Sequence, residues 1–248
     1  MKTLSKRLVL TALCGVIPLT LAQVALANNL VLNGGFESTT AGAGQLGYNT
    51  EATGWSTSGY NFLFTPGSAD TTGAVGQYGS LYLWGPNDGS ANGLPATSPA
   101  GGNYIGADGA YQVGAISQTI SGLTVGQTYA LSFYWAGVQQ YGFTGDTTEN
   151  WTASLGSQSQ TTTTVTPVSH GFSGWIAQTF DYTATSTSET LSFLATGTPS
   201  GEPPFSLLDG VSLSAVPESA TMWVSVFVLL PVCGLMLRNR RQKVPAKA

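Results

Sequence analysis

From residue 128 to 136 apolar side chains alternate with small or polar ones. Tyr129, Leu131, Phe133 and Trp135 fall on one face, and Ala130, Ser132, Tyr134 and Ala136 on the other. Successive side chains of a strand point to opposite faces, so this period of two predicts a half-buried strand. The stretch 115–120 predicts a partner strand, and 121–127 the connection between them. Shorter runs rich in β-branched and aromatic residues predict strands at 29–32, 61–64, 80–84, 104–107, 151–155, 175–182, 189–194 and 207–213, and the threonines at 161–164 an exposed one. Stretches 39–53 and 87–102 are dense in Gly, Pro, Asn and Ser and read as loops able to carry a site. Between residues 28 and 215 no segment carries a sustained helical period. Many short strands separated by turn signals predict an all-β body, a single β-sandwich of the jelly-roll kind.

The two ends carry a different pattern. Lys2, Lys6 and Arg7 precede an apolar stretch at 8–21, and Ala25, Leu26 and Ala27 form a small-x-small site, so 1–27 reads as a secretory signal peptide cleaved before Asn28. Near the other end an uncharged apolar run of 16 residues, 222–237, is followed at once by Arg238, Asn239, Arg240 and Arg241. A helix there would lie in a bilayer with its basic end cytoplasmic, although an untilted span needs about 20 residues. The expected organisation is therefore a leader, a β-sandwich body at 28–215 and a sorting segment with a transmembrane helix at 216–248.

Setting both ends aside changes the charge. The chain carries a formal charge of −4. All eight basic residues lie outside 28–215, whereas eleven of the twelve acidic ones lie inside it, so the body is 0 minus 11. Phosphate neutralisation requires Lys or Arg, which excludes nucleic acid as a partner and disfavours anionic lipid. Metal cations and neutral sugars stay open. At low pH such a body loses negative charge and gains almost no positive charge, so acid self-repulsion is expected to be nearly absent. Both cysteines, Cys14 and Cys233, also lie in the flanking segments, so no disulfide staples the body.

Catalytic chemistry finds little footing. His170 is the only histidine, no Gly-x-Ser-x-Gly elbow is present, and the body has no cysteine nucleophile. Asp146 and Glu149 are close in sequence, but their Gly- and Thr-rich surroundings read as a solvated turn. A pocket holding two carboxylates with raised pKa values would point instead to glycoside cleavage. Among the many rings most should fill the core. Trp84, beside the Gly-Pro-Asn loop, is the candidate for a surface platform on which a sugar face can stack.

Two resemblances extend this reading. The tail, with Val216, Pro217 and Glu218 followed by the apolar run and by Arg238, Arg240 and Arg241, resembles the PEP-CTERM sorting signal of bacterial exported proteins; Ser219 stands where that family has a second proline. The resemblance implies handling by an exosortase-type membrane protease and delivery to the cell surface or extracellular matrix. The opening 29–37, Asn-Leu-Val-Leu-Asn-Gly-Gly-Phe-Glu, then Thr53-Gly54-Trp55, and the ending Leu-Leu-Asp-Gly-Val-Ser-Leu at 207–213, resemble carbohydrate-binding jelly rolls of the galactose-binding-like type. In those domains acidic residues matching Glu37 and Asp209 share a structural calcium, which takes oxygen ligands.

The sequence thus describes an exported, non-catalytic surface or matrix protein with a structural or adhesive role. The alternative is a carbohydrate-binding module attached to extracellular polysaccharide. If the tail is a processed address, intact-mass analysis of the mature protein should find a chain beginning at Asn28 and ending within 216–219. Retention of Arg238, Arg240 and Arg241 would make the tail a permanent anchor.

Overall fold

The computed structural model describes residues 28–217, an all-β fold of thirteen strands. The leader, the proposed span 222–237, and Glu218, Ser219, Arg238, Arg240 and Arg241 lie outside the described residues.

The larger sheet has eight strands in the spatial order β11 (Ile176–Thr183), β8 (Thr128–Gln139), β13 (Pro204–Ala215), β6 (Tyr104–Asp108), β3 (Asn61–Phe64), β1 (Gly44–Gln45), β4 (Ala74–Gly76) and β5 (Gly79–Leu81). The smaller has five: β10 (Gln158–Thr161), β9 (Thr148–Leu155), β12 (Ser188–Thr198), β7 (Ile116–Ser121) and β2 (Ser56–Thr57). β1 and β4 pair parallel, and the principal ladders, such as β8 with β11 and β9 with β12, are antiparallel. From β6 onward the chain changes sheet at every connection except the β9–β10 hairpin, the crossing pattern of a jelly roll.

Two cores follow from the alternation on the larger sheet. Its inner face sends Leu63, Ile105, Leu131, Phe133, Trp135, Leu208 and Leu213 against Trp151, Leu155, Leu191 and Phe193 of the smaller sheet. Two polar clasps lock the layers: Trp151 Nε1 donates to the Leu207 carbonyl at 2.9 Å, and the Tyr182 hydroxyl to the Ala153 carbonyl at 2.6 Å. Each large ring fully buried here contributes about 1.5–3 kcal/mol of transfer free energy. The outer face of the same sheet, with Phe62, Phe64, Tyr104, Val138 and Phe205, holds a second core. It is covered by Ala69, Leu81, Leu83 and Leu94 from the segment between β3 and β6. Phe62, Leu63 and Phe64 on β3 show the division, with Leu63 in one core and its neighbours in the other.

Several strands lie where their pattern predicts, β3 residue for residue. Residues 29–32 do not form a strand. Leu30 N donates to the Leu213 carbonyl at 2.8 Å, but the next ladder position is taken by the Asn29 side chain, whose Oδ1 accepts from Leu213 N and Val31 N, each at 3.0 Å. Only Thr161 of 161–164 belongs to a strand, because Thr162 is buried with its hydroxyl accepting from Trp151 N at 3.0 Å. The stretch 80–84 is strand only to Leu81; Leu83 then bridges to Gln140, beyond the end of β8.

Glu149 is the largest departure. It is not a solvated turn residue: it lies on β9 with the same inward phase as Trp151, Ala153 and Leu155, and is fully buried. Neither carboxylate oxygen has a hydrogen-bond partner. The missing side chain of Gly137 makes its room, since a Cβ there would stand 2.7 Å from Oε2. Burial pushes the pKa of Glu149 up to about 8. With the folded value above the unfolded one, the neutral form's stabilisation is complete below the ordinary carboxylate range and is lost as pH rises through about 8. The melting temperature should accordingly rise as pH falls from 8.5 to 5.5, and circular dichroism should show no cooperative unfolding between pH 5 and pH 3. Glu149→Gln should raise the melting temperature at pH 8.5 and remove the slope above pH 7; a variant with the wild-type slope would refute the assignment.

Candidate functional site

A cleft of about 360 Å³ opens where the segment after β5 meets the end of β8, lined by Asp70, Thr71, Tyr82, Asn87, Asp88 and Tyr141. Backbone pairing builds it. Leu83 N donates to the Ala69 carbonyl at 2.9 Å, Trp84 N to Gln139 at 3.0 Å, and Tyr141 N to Tyr82 at 2.9 Å. This ladder carries Tyr82 and Tyr141 side by side, their rings 6.3 Å apart, and Tyr141 is 43 % exposed.

Trp84 stands behind this wall rather than in it. Its indole stacks on His170 at 3.9 Å and 27° and leans on Tyr141 at 4.5 Å, while its Nε1 donates to the Phe143 carbonyl at 2.9 Å. His170 sits in a turn at φ 62°, fixed through its backbone: its N donates to Gln139 Oε1 at 2.9 Å, and its carbonyl accepts from Ser90 Oγ and Asn92 Nδ2. Held by the stacked His170 ring and by its Nε1 hydrogen bond, Trp84 gives the exposed Tyr141 ring a tilted aromatic support.

The polar half of the cleft is acidic. Asp70 is buried, and its Oδ2 accepts both Asn87 N at 2.9 Å and Asn87 Nδ2 at 3.0 Å. Asp88 Oδ1 accepts from Gly85 N at 2.8 Å, whereas its Oδ2 is buried without a partner. Burial pushes the pKa of Asp88 up and the Asp70 charge adds to it, against the Gly85 hydrogen bond and the nearby His170. A second cleft, of about 460 Å³, lies by Leu30, Gly54 and Gln118. No ring lines it, and the Gln118 amide is spent on Leu32 N, Leu32 O and Gly54 O.

The other sequence-derived residues converge elsewhere. A bulge between Asp209 and Ser212 shifts the phase of β13. Asp209 is fully buried and accepts the Ser98 hydroxyl on Oδ2 and Gly210 N on Oδ1 at 2.6 Å. Glu37 Oε1 accepts Asn103 N at 2.8 Å. A Cβ on Gly35 would stand 3.9 Å from both Asp209 Oδ1 and Glu37 Oε1, so the two oxygens border one small space, and a Cβ on Gly102 would collide with the Glu37 carboxylate. Burial, augmented by the Glu37 charge, raises the Asp209 pKa to about 7 in spite of the Ser98 and Gly210 hydrogen bonds. Oxygen-only donors around glycine backbone fit a hard cation such as calcium. Among the described residues no three or more His, Cys, Asp or Glu side chains converge as ligands, so backbone or hydroxyl oxygens would complete its shell. The opening turn is held by Asn33, whose amide ties Ser38 to Thr53 and whose carbonyl accepts Trp55 Nε1 at 3.0 Å. Asn28 is exposed; Val216 is tied down, its N donating to Thr128 at 2.9 Å and its carbonyl accepting from Gln127, and Pro217 is exposed beyond it.

No protein-family model matches the chain, and no curated protein matches it. Among solved structures, the fold is similar to the carbohydrate-binding module TmCBM61 in complex with β-1,4-galactotriose, with 16% identity over 77% of this chain and 100% of that one and a TM-score of 0.41. It is similar also to the CBM22-1 xylan-binding domain from Paenibacillus barcinonensis Xyn10C, at 12% identity, 78% and 97% coverage and a TM-score of 0.39. A third is the K1 cleaved adhesin domain of Lys-gingipain from Porphyromonas gingivalis, at 13% identity, 73% and 99% coverage and a TM-score of 0.37. At these identities and scores the likeness decides neither fold nor function: the sandwich stands on its own strand pairing, and function on the cleft.

Proposed function

We propose that this chain is an exported, non-catalytic protein that binds extracellular polysaccharide through the Tyr82 and Tyr141 cleft. The observation that carries the reading is the convergence of the partly buried Tyr82 and the exposed Tyr141 with Asp70, Asn87 and Asp88 on one open cleft. Apolar sugar faces pack on rings, and sugar hydroxyls need the carboxylate and amide partners beside them. Export, and delivery to the surface by an exosortase-type protease, rest on the two flanking sequence patterns. Adhesion to the matrix would follow from binding itself.

A glycan-array screen should find a polysaccharide ligand. Tyr141→Ala should weaken it by about ten-fold, and Trp84→Ala by a similar factor through loss of the Tyr141 support. Clean negatives across the array would leave a purely structural role. Release of new reducing ends from the bound glycan would convert the two cleft carboxylates into a glycoside-cleaving pair.

Glu37 and Asp209 are assigned a structural calcium, which would clip the opening turn to the bulge of β13. Because the Asp209 carboxyl is pushed up to about 7, cation binding must displace a proton near neutrality. Calcium should raise the melting temperature more at pH 8 than at pH 5.5, EDTA should reverse the gain, and Asp209→Asn should abolish it. Melting that is indifferent to calcium and EDTA at both pH values would count against the site.

A further inference from the structure

We propose that the Tyr82 and Tyr141 cleft selects a cationic sugar, a hexosamine unit with a free amine, over its N-acetylated and acidic counterparts; this rests on the cleft being a sugar site. The argument is one of charge left over. Asp70 is only 7 % exposed and Asp88 is half-buried, and both face the same cleft. No Lys or Arg occurs anywhere between residues 28 and 217 to offset them, and the one basic side chain near Asp88 is His170, stacked on Trp84. Asp88 Oδ2 has no hydrogen-bond partner, although its carboxylate is otherwise held by Gly85.

A neutral sugar entering this space would supply hydroxyl donors but would remove more water from two carboxylates that have no Lys or Arg partner. A uronic acid would add a third negative charge. An ammonium group supplies donors and charge together, making the charge-assisted hydrogen bonds that carboxylates accept best. The tyrosine rings fit the same ligand, because a cation beside an aromatic face is attracted by its quadrupole. A divalent metal fits less well. Asp70 Oδ2 already accepts two N–H groups, and tyrosine rings form much of the remaining wall, where a hard cation would need oxygens.

The test is calorimetric titration of the full 248-residue chain with the glucosamine trisaccharide, its fully N-acetylated form and a uronic acid trisaccharide. The amine form should bind about ten-fold tighter than the N-acetylated form, and the uronic acid should not bind. The preference should shrink between about 50 and 500 mM salt. Asp88→Asn keeps an oxygen for Gly85 N and should bring the ratio of the two affinities toward one, with an unchanged melting temperature as the folding control. Equal or tighter binding of the N-acetylated form, insensitive to salt, overturns the amine preference and leaves the cleft a neutral-sugar site. Asp88-dependent binding of calcium chloride with no binding of the amine overturns it in favour of a metal. Failure of every sugar, on wild type and variants alike, overturns the amine preference and the sugar-site reading together.

Discussion

Between residues 28 and 217 the chain has no Lys and no Arg, so, His170 near Asp88 apart, the carboxylates the fold takes out of water must be held by neutral donors, by their own proton or by a cation from outside. Much of the architecture is a set of answers to that constraint. Asp108 caps a turn, its Oδ1 accepting Ala110 N and Tyr111 N; Glu189 Oε1 accepts Thr185 N, the Thr185 hydroxyl and Ser186 N. Glu149 takes the second answer and holds its proton, with burial raising its pKa to about 8. Asp209 lies between the answers: a hydroxyl and an amide hold it, yet Glu37 stands close enough to raise its pKa further. Buried carboxylates are costly unless paired. The Glu37 and Asp209 pair and the cleft aspartates are where the proposed cation and the proposed sugar amine would relieve that cost.

The second core explains why the cleft lies where it does. A sandwich with one solvated outer face would leave Phe62, Phe64, Tyr104 and Phe205 in water. Covering them requires the long segment between β3 and β6, and that segment has to pair with something at its edge. It finds the end of β8, where Leu83 bridges Gln140. Tyr82 and Tyr141 meet as a by-product of that pairing, and Asp70 is drawn in by the two nitrogens of Asn87. Burial of the outer face and formation of the site are one event.

This also sets what the sequence could reveal. Alternation alone located β7 and the first part of β8, because Tyr129, Leu131, Phe133 and Trp135 keep a period of two against the inner core before Ala136 and Val138 turn the end of β8 into the outer one. The same period ran through Glu149, Trp151, Ala153 and Leu155, and would have placed Glu149 indoors had its charge not outweighed its phase. The failure at 29–32 has another cause: nothing local signals that the Asn29 amide will replace a ladder carbonyl, since its partner, Leu213 N, is 184 residues away. Trp84 was singled out for its loop, and the loop does border the cleft. Tyr141 and Asp70 could not be found that way, for they join Trp84 only through long-range pairing. The two-residue strands β1, between β3 and β4, and β2, beside β7, exist only through these pairings and have no pattern of their own.

The segment 87–102 and its flanks serve both acidic sites, and its anchoring decides whether they act together. At one end Asn87 binds Asp70; at the other Ser98 binds Asp209 and Asn103 binds Glu37. Between them Leu94 is buried in the outer core, and the Ala96 carbonyl accepts Gly67 N at 2.8 Å. A loop pinned at its middle by a buried apolar side chain and a backbone hydrogen bond transmits little displacement, because moving either end would first have to extract Leu94 from Phe64, Tyr104 and their neighbours. Coupling between sites requires an element with two arrangements that both sites bias, and a segment fixed in the core at its centre offers only one. A cation at Glu37 and Asp209, as proposed, would therefore act on stability alone, and ligand choice in the proposed cleft would be set locally by the aspartates and rings that line it.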